Sequence, residues 1–198
     1  MKLIELATIS PGHPFRGKIP DKSGSGIRAV QMKDISVDMG VCWNSVVETE
    51  LSGKKQPDWL MNGDILFAAR GSRNYAVLID HVTGKAVSAP HFYILRVSEK
   101  ILLAEFLVWQ LNQRPLQNYF DRAAQGSLTK SIKRVILEGA EISVPSLEKQ
   151  KQILCLYKTL LQEKYIYAQL SINADKLMNS IANELVDDKT LQSKGIKI

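Results

Sequence analysis

The chain has 198 residues, 45% of them hydrophobic, and a net charge of +6. That composition excludes a disordered chain and allows one ordinary domain with an appendage. No apolar run approaches the ~20 residues of a membrane span, Lys2–Ile9 lacks the apolar core of a secretory signal, and the two distant cysteines, Cys42 and Cys155, exclude a disulfide framework. The expected setting is a reducing cytoplasm.

Taken in chain order, Leu3–Ile9 is a short apolar opening, and Ser10–Gly17 is a Pro/Gly loop. Asp21–Gly26 is a second, Gly/Ser-rich loop. Strands are predicted over Ile27–Met32, Val41–Thr49, Asp64–Arg70, Tyr75–Asp80 and Phe92–Val97, each bounded by turn residues. Gly71–Asn74 is a tight polar turn between two of them. Short strands at this spacing suggest a curled antiparallel sheet or partial barrel.

The pattern then changes period. Leu102–Asn112 carries Leu103, Phe106, Leu107 and Leu111 at helical spacing, and Pro115 opens a second helix with Leu116, Tyr119 and Phe120 on one side. Ala124–Lys130 is a polar loop, and a last strand, Glu141–Val144, ends at Pro145.

From Glu148 to Asp187 there is neither proline nor glycine, enough for a helix of roughly 60 Å. Ser146 is its N-cap candidate. A seven-residue repeat holds Ile153, Leu160, Tyr167, Ala174 and Ile181, flanked by Leu156, Leu170 and Leu177 and interrupted by Glu163 and Glu184. So long a stripe needs another helix to cover it, unless the chain folds back as a hairpin near Ser171–Asp175. The fold class is α+β. A curled β-rich domain with short helices spans 1–146, one long coiled-coil-like helix spans 147–187, and a polar tail spans 188–198.

No catalytic constellation is legible. The sequence has no phosphate-binding G-x-x-x-x-G-K-S/T loop and no Asn-Pro-Pro-aromatic tetrapeptide. Pro57-Asp58 is not continued into a nuclease motif. His13, His81 and His91 lack the partners of a metal site, so no catalytic residue, cofactor or metal is expected. Charge is more informative. All eight arginines (Arg16, Arg28, Arg70, Arg73, Arg96, Arg114, Arg122, Arg134) precede Ser146, and the helix and tail use only lysine. Arginine suits bidentate contacts with phosphate and guanine.

Several segments follow one another in a telling order: Leu3–Ile9, the loop with Gly12, Pro14, Phe15 and Arg16, then Lys33-Asp34-Ile35 and Gly63-Asp-Ile-Leu-Phe-Ala-Ala-Arg-Gly71. After these come Leu107-Val-Trp-Gln-Leu-Asn112, Ala124-Gln-Gly-Ser127, Ile142-Ser-Val-Pro145 and Gln150-Lys-Gln-Ile153. In that order and spacing the chain resembles one half of a type I restriction–modification specificity subunit, a target recognition domain followed by a helical spacer. The resemblance implies a non-catalytic DNA-reading domain, with S-adenosylmethionine held by a partner methyltransferase. It implies a helix that docks the methyltransferase, with or without a restriction subunit, and pairs with a second spacer, in a homodimer or with another half subunit.

On physical grounds the residues facing double-stranded DNA are Arg70, Ser72, Arg73 and Asn74 on one loop, and Ser127, Thr129, Lys130 and Lys133 on another. Arg16 and Lys18 contribute from the first loop. The helix residues for pairing are Ile153, Leu156, Leu160, Tyr167, Leu170, Ala174, Leu177 and Ile181. The alternative is a protein–protein interaction module that docks a methyltransferase, or competes with a complete specificity subunit, without reading DNA.

Overall fold

A computed structural model describes residues 1–51, 56–98, 100–124 and 130–193, the side chains of 130 and 186–193 excepted. The chain divides into two compact units, Met1–Lys151 and Gln152–Ile198.

The first unit opens with the helical turn α1 (Leu3–Leu6) and strand β1 (Ala7–Pro11). Then come β2 (Ile27–Val30), a 3-10 turn at Met32–Asp34, β3 (Ile35–Ser36), β4 (Gly40–Val41), β5 (Val47–Glu48), β6 (Ile65–Ala68), β7 (Arg70–Gly71), β8 (Ala76–Leu78), β9 (Lys85–Ser88) and β10 (Phe92–Val97). Helices α2 (Ala104–Leu111) and α3 (Arg114–Ala123), strand β11 (Lys130–Ser131) and the short helix α4 (Arg134–Glu138) complete it. The α+β class is as expected, but the strands distribute over several small sheets. A four-stranded antiparallel sheet has the order β1-β10-β6-β8, and a second sheet runs β5-β2-β9. Within it β2 and β9 are parallel, Ile27 opposite Lys85 and Val30 opposite Ser88. Two-stranded ladders join β3 to β4 and β7 to β11.

Strand β6 is central, and all four of its residues are buried. Leu66 and Ala68 belong to a core with Val30, Trp43, Ile79, Phe92 and Ile94. Phe67 turns to the helices, its ring 5.0 Å from that of Phe120. A four-residue apolar run suits this position because both faces are covered.

The predicted strand Val41–Thr49 is interrupted. Ser45 Oγ donates to Asp34 Oδ1 at 3.1 Å, and the Ser45 N–H donates to the Cys42 carbonyl, so the chain turns through Trp43–Ser45. The segment Glu141–Val144 is no strand either. Its polar backbone is satisfied one group at a time. The Ile142 N–H donates to the Met1 carbonyl, and the Gln110 amide donates to the Ser143 carbonyl at 2.7 Å while accepting its N–H at 3.0 Å.

The helix α5 (Leu147–Ser193) is continuous, roughly 70 Å long at 1.5 Å per residue. It has no break at Ser171–Asp175 and runs past Asp187. Ser146 starts it as expected, accepting the Lys149 N–H on Oγ at 3.4 Å and the Gln150 N–H on its carbonyl at 3.0 Å. Gln150 is fully buried. Its Oε1 accepts the Leu103 N–H at 2.9 Å, and its Nε2 donates to the carbonyls of Ile101 and Pro145, each at 2.8 Å. One amide thus satisfies the unpaired N–H at the N-cap of α2 and two loop carbonyls.

Candidate nucleic-acid interface

The hairpin from β6 to β8 positions the first group of cationic residues. Ala69 transfers the strand from one partner to another: its N–H donates to the His91 carbonyl at 2.9 Å, and its carbonyl accepts the Ile132 N–H at 2.8 Å. Beyond it, Arg70 lies opposite Ser131 and Gly71 opposite Lys130. Two segments that sequence placed in separate loops are therefore paired strands. Gly71 has φ of +148° at the start of the tip, a backbone region that glycine enters without strain.

Arg70, Ser72 and Arg73 are exposed at that tip. Asn74 is buried, its Nδ2 donating to the Ala68 carbonyl at 2.9 Å across the base of the turn. Its Oδ1 has no hydrogen-bond partner among the described residues. Asn74 thus holds the tip in shape, whereas Ser72 and Arg73 before it are exposed. After β11 the side chains alternate, with Ile132 buried and Lys133 exposed at the N-cap of α4. Ser127 and Thr129 lie outside the described residues, as does the Lys130 side chain.

The first loop is fastened to the turn between β9 and β10. The Gly12 N–H donates to the Phe92 carbonyl at 3.0 Å, and the His13 N–H to the Ser88 carbonyl at 2.8 Å. A Cβ on Gly12 would sit 2.0 Å from the Ala89 carbonyl oxygen, so only glycine permits this approach. Burial holds the His13 imidazole below its ordinary pKa, so at neutral pH it adds no positive charge. Arg16 and Lys18 are exposed further along the loop.

Lys18 lines a cleft with Phe15, Met32, Lys33, Pro90 and His91. One of these, Met32, lies beside the hairpin tip: a Cβ on Gly71 would be 3.4 Å from Met32 Cε. Met32 therefore links the cleft to the tip: it lines the cleft with Lys18 and lies beside Gly71, which is flanked by Arg70 and paired with Lys130 of β11. Lys33 and His91 line the cleft too, and sequence reasoning missed them because their segments carry no cationic cluster. Arg114 lines a separate polar cleft with Arg73, Asn74, Gln117 and the carboxylate of Asp121. The exposed Arg70 and Arg73 differ from Arg96, which is about a quarter exposed and which Asp64 and Asp58 neutralise. Arg96 meets Asp64 at 2.7 and 2.9 Å and Asp58 at 2.7 Å, and hydrogen bonding to Asp64 holds its guanidinium charged.

In the second unit Leu156, Leu160, Tyr167, Leu170, Ala174, Leu177 and Ile181 are exposed along α5, and Ile153 opens the same row. Tyr165, Ile166, Ile172 and Met178 are exposed outside that row. No helix among the described residues is long and apolar enough to cross a membrane.

The first unit is an α+β domain with exposed cationic residues at its hairpin tip, and the second is a long helix with an exposed apolar row. The chain belongs to the family of type I restriction modification DNA specificity domains, whose family model matches residues 2–172. No curated protein matches it. Among solved structures, the HsdS subunit from Thermoanaerobacter tengcongensis is 19% identical with a TM-score of 0.56, the match covering 82% of this chain and 36% of that one. A chain from a structure described as "Structural basis underlying complex assembly and conformational transition of the type I R-M system" is 16% identical with a TM-score of 0.68. That match covers 100% of this chain and 50% of the other. At these identities the likeness is one of fold, and the present chain spans half or less of each relative.

Proposed function

We propose that this chain selects the DNA sequence at which a type I restriction–modification complex acts. The reading rests on exposed Arg70 and Arg73 at the hairpin tip, and on exposed Lys18 in a cleft whose Met32 lies beside that tip, in a domain of the specificity family. Arg70 and Arg73 offer planar donors for guanine edges or phosphates, and Ser72 offers a hydroxyl. Arg16, Lys18 and Lys133 grip phosphates and fix register, joined by Lys130, Ser127 and Thr129. Asn74 contributes by shaping the tip.

Chemistry belongs to a partner methyltransferase, which holds S-adenosylmethionine and adds the methyl group. The apolar row on α5 takes that partner or a second helix of the same kind. Its exposure is what favours a helical mate: seven residues of one row stand uncovered in water.

The test is to purify the full chain with its methyltransferase subunit and map methylated positions on genomic DNA. One defined sequence, relaxed or lost in Arg70→Ala/Arg73→Ala, is expected. Partner binding with no sequence preference contradicts the reading and leaves a docking module that does not read DNA.

A further inference from the structure

The cleft beside the hairpin tip has a chemistry that the gripping of phosphate alone does not require. Its volume is about 410 Å³. The floor is apolar, built from Phe15, Ile19, Met32 and Pro90, with Ile19 and Met32 packed on the hydrophobic core. Lys18, Lys33 and His91 line the cleft as well, and among the described residues no carboxylate does.

The nearest acid in sequence, Asp34, is turned away from solvent and used up. It is 1% exposed; its Oδ2 accepts the Gln31 N–H at 2.9 Å and its Oδ1 accepts from Ser45 Oγ. Those bonds fix the 3-10 turn that presents Met32 and Lys33 side by side. Two exposed cations over an apolar floor fit an anion that carries an apolar group.

In duplex DNA that combination is the thymine nucleotide. Thymine alone among the bases presents a methyl group in the major groove, beside the phosphates of its own strand. We propose that the cleft seats one thymine nucleotide of the bound duplex, its phosphate on Lys18 and Lys33 and its 5-methyl on Phe15 and Met32. The proposal rests on the DNA-reading role above and adds a base preference to it.

Binding of the full chain to an alternating adenine–thymine duplex and to its adenine–uracil counterpart, over a range of salt concentrations, tests it. The wild-type chain is expected to favour the thymine duplex by about fourfold, the factor for one buried methyl. Met32→Gln keeps the length of the side chain and is expected to abolish that preference. Lys18→Ala/Lys33→Ala is expected to lower the slope of log affinity against log salt by about 0.9, for the one phosphate that the two lysines share, while Lys100→Ala leaves it unchanged.

If the wild-type chain binds neither these duplexes nor mixed-sequence genomic DNA, the DNA-reading role fails and this proposal with it; binding to genomic DNA but to neither of these duplexes overturns this proposal alone. If it binds but the double lysine variant keeps the wild-type slope, the cleft is no phosphate site and the proposal alone is overturned. Equal affinity for the thymine and uracil duplexes overturns it too, as does a thymine preference that survives in Met32→Gln.

Discussion

The side-chain amide of Asn112 is paired with the backbone of Ala76, its Oδ1 accepting the Ala76 N–H at 2.9 Å and its Nδ2 donating to the Ala76 carbonyl at 2.8 Å. Strand β8 lies at the edge of its sheet, so Asn112 replaces one rung of the missing neighbour. It also steadies the hairpin whose tip carries Arg70 and Arg73. Asn112→Ala is expected to cost about 1–3 kcal/mol, because two part-buried backbone groups lose their partner. Denaturant unfolding gives the loss, and hydrogen exchange at the Ala76 amide is expected to accelerate with it.

Gly12 cannot be replaced. In Gly12→Ala the new methyl meets the Ala89 backbone rather than a side chain that can move. The loop carrying Arg16 and Lys18 must then detach from the β9–β10 turn. A loss of roughly 2–4 kcal/mol is expected in thermal or denaturant unfolding.

Asp64 is 3% exposed at its side chain and serves both the Arg96 guanidinium and the Met61 N–H, the latter on Oδ2 at 2.9 Å. Asp64→Ala leaves a half-buried guanidinium with only Asp58 and the Trp59 carbonyl. The expected cost is about 2–3 kcal/mol, below that of a fully buried pair because Arg96 keeps some access to water. Asp58→Ala, at the exposed end of the same network, is expected to cost under about 1 kcal/mol. Equal losses in the two variants would show that the burial of Asp64 is not what matters.

Leu170 and Leu177 stand at matching positions of the apolar row, 58% and 62% exposed. Leu170→Glu/Leu177→Glu is expected to keep the circular-dichroism signal of the helix and to weaken association with a second helix or a methyltransferase by roughly tenfold or more. Sedimentation and pull-down measurements read the effect. Unchanged association would remove the apolar row from the proposed function.

The elements legible in sequence were those whose pattern is local. Ile65–Ala68 and Phe92–Val97 are dense apolar runs between turns, and the long helix announces itself by its unbroken period and by Ser146. Strand β9 was missed because Lys85–Ser88 shows no alternation: it is a strand by virtue of its parallel pairing with β2, more than fifty residues earlier. Helix α4 was missed because five residues show too little of a 3.6-residue period.

At the candidate interface, sequence offered outward polar residues and found the tip at Arg70–Arg73. It did not show that Asn74 turns inward, because nothing local distinguishes a turn asparagine that bonds its own hairpin from one that faces solvent. Nor did it reveal the grouping of Lys18 with Lys33 and His91, which depends on how the first loop is fastened to the β9–β10 turn.

The most direct measurement is the affinity of the full chain for duplex DNA as a function of salt, for the wild type and for Arg70→Ala/Arg73→Ala. Affinity is expected to fall linearly on logarithmic axes, and the double variant is expected to lower that slope by about 0.9 for each phosphate contact removed. Affinity that stays constant from low to physiological salt, or a slope indifferent to both arginines, would contradict the assignment of this surface to DNA.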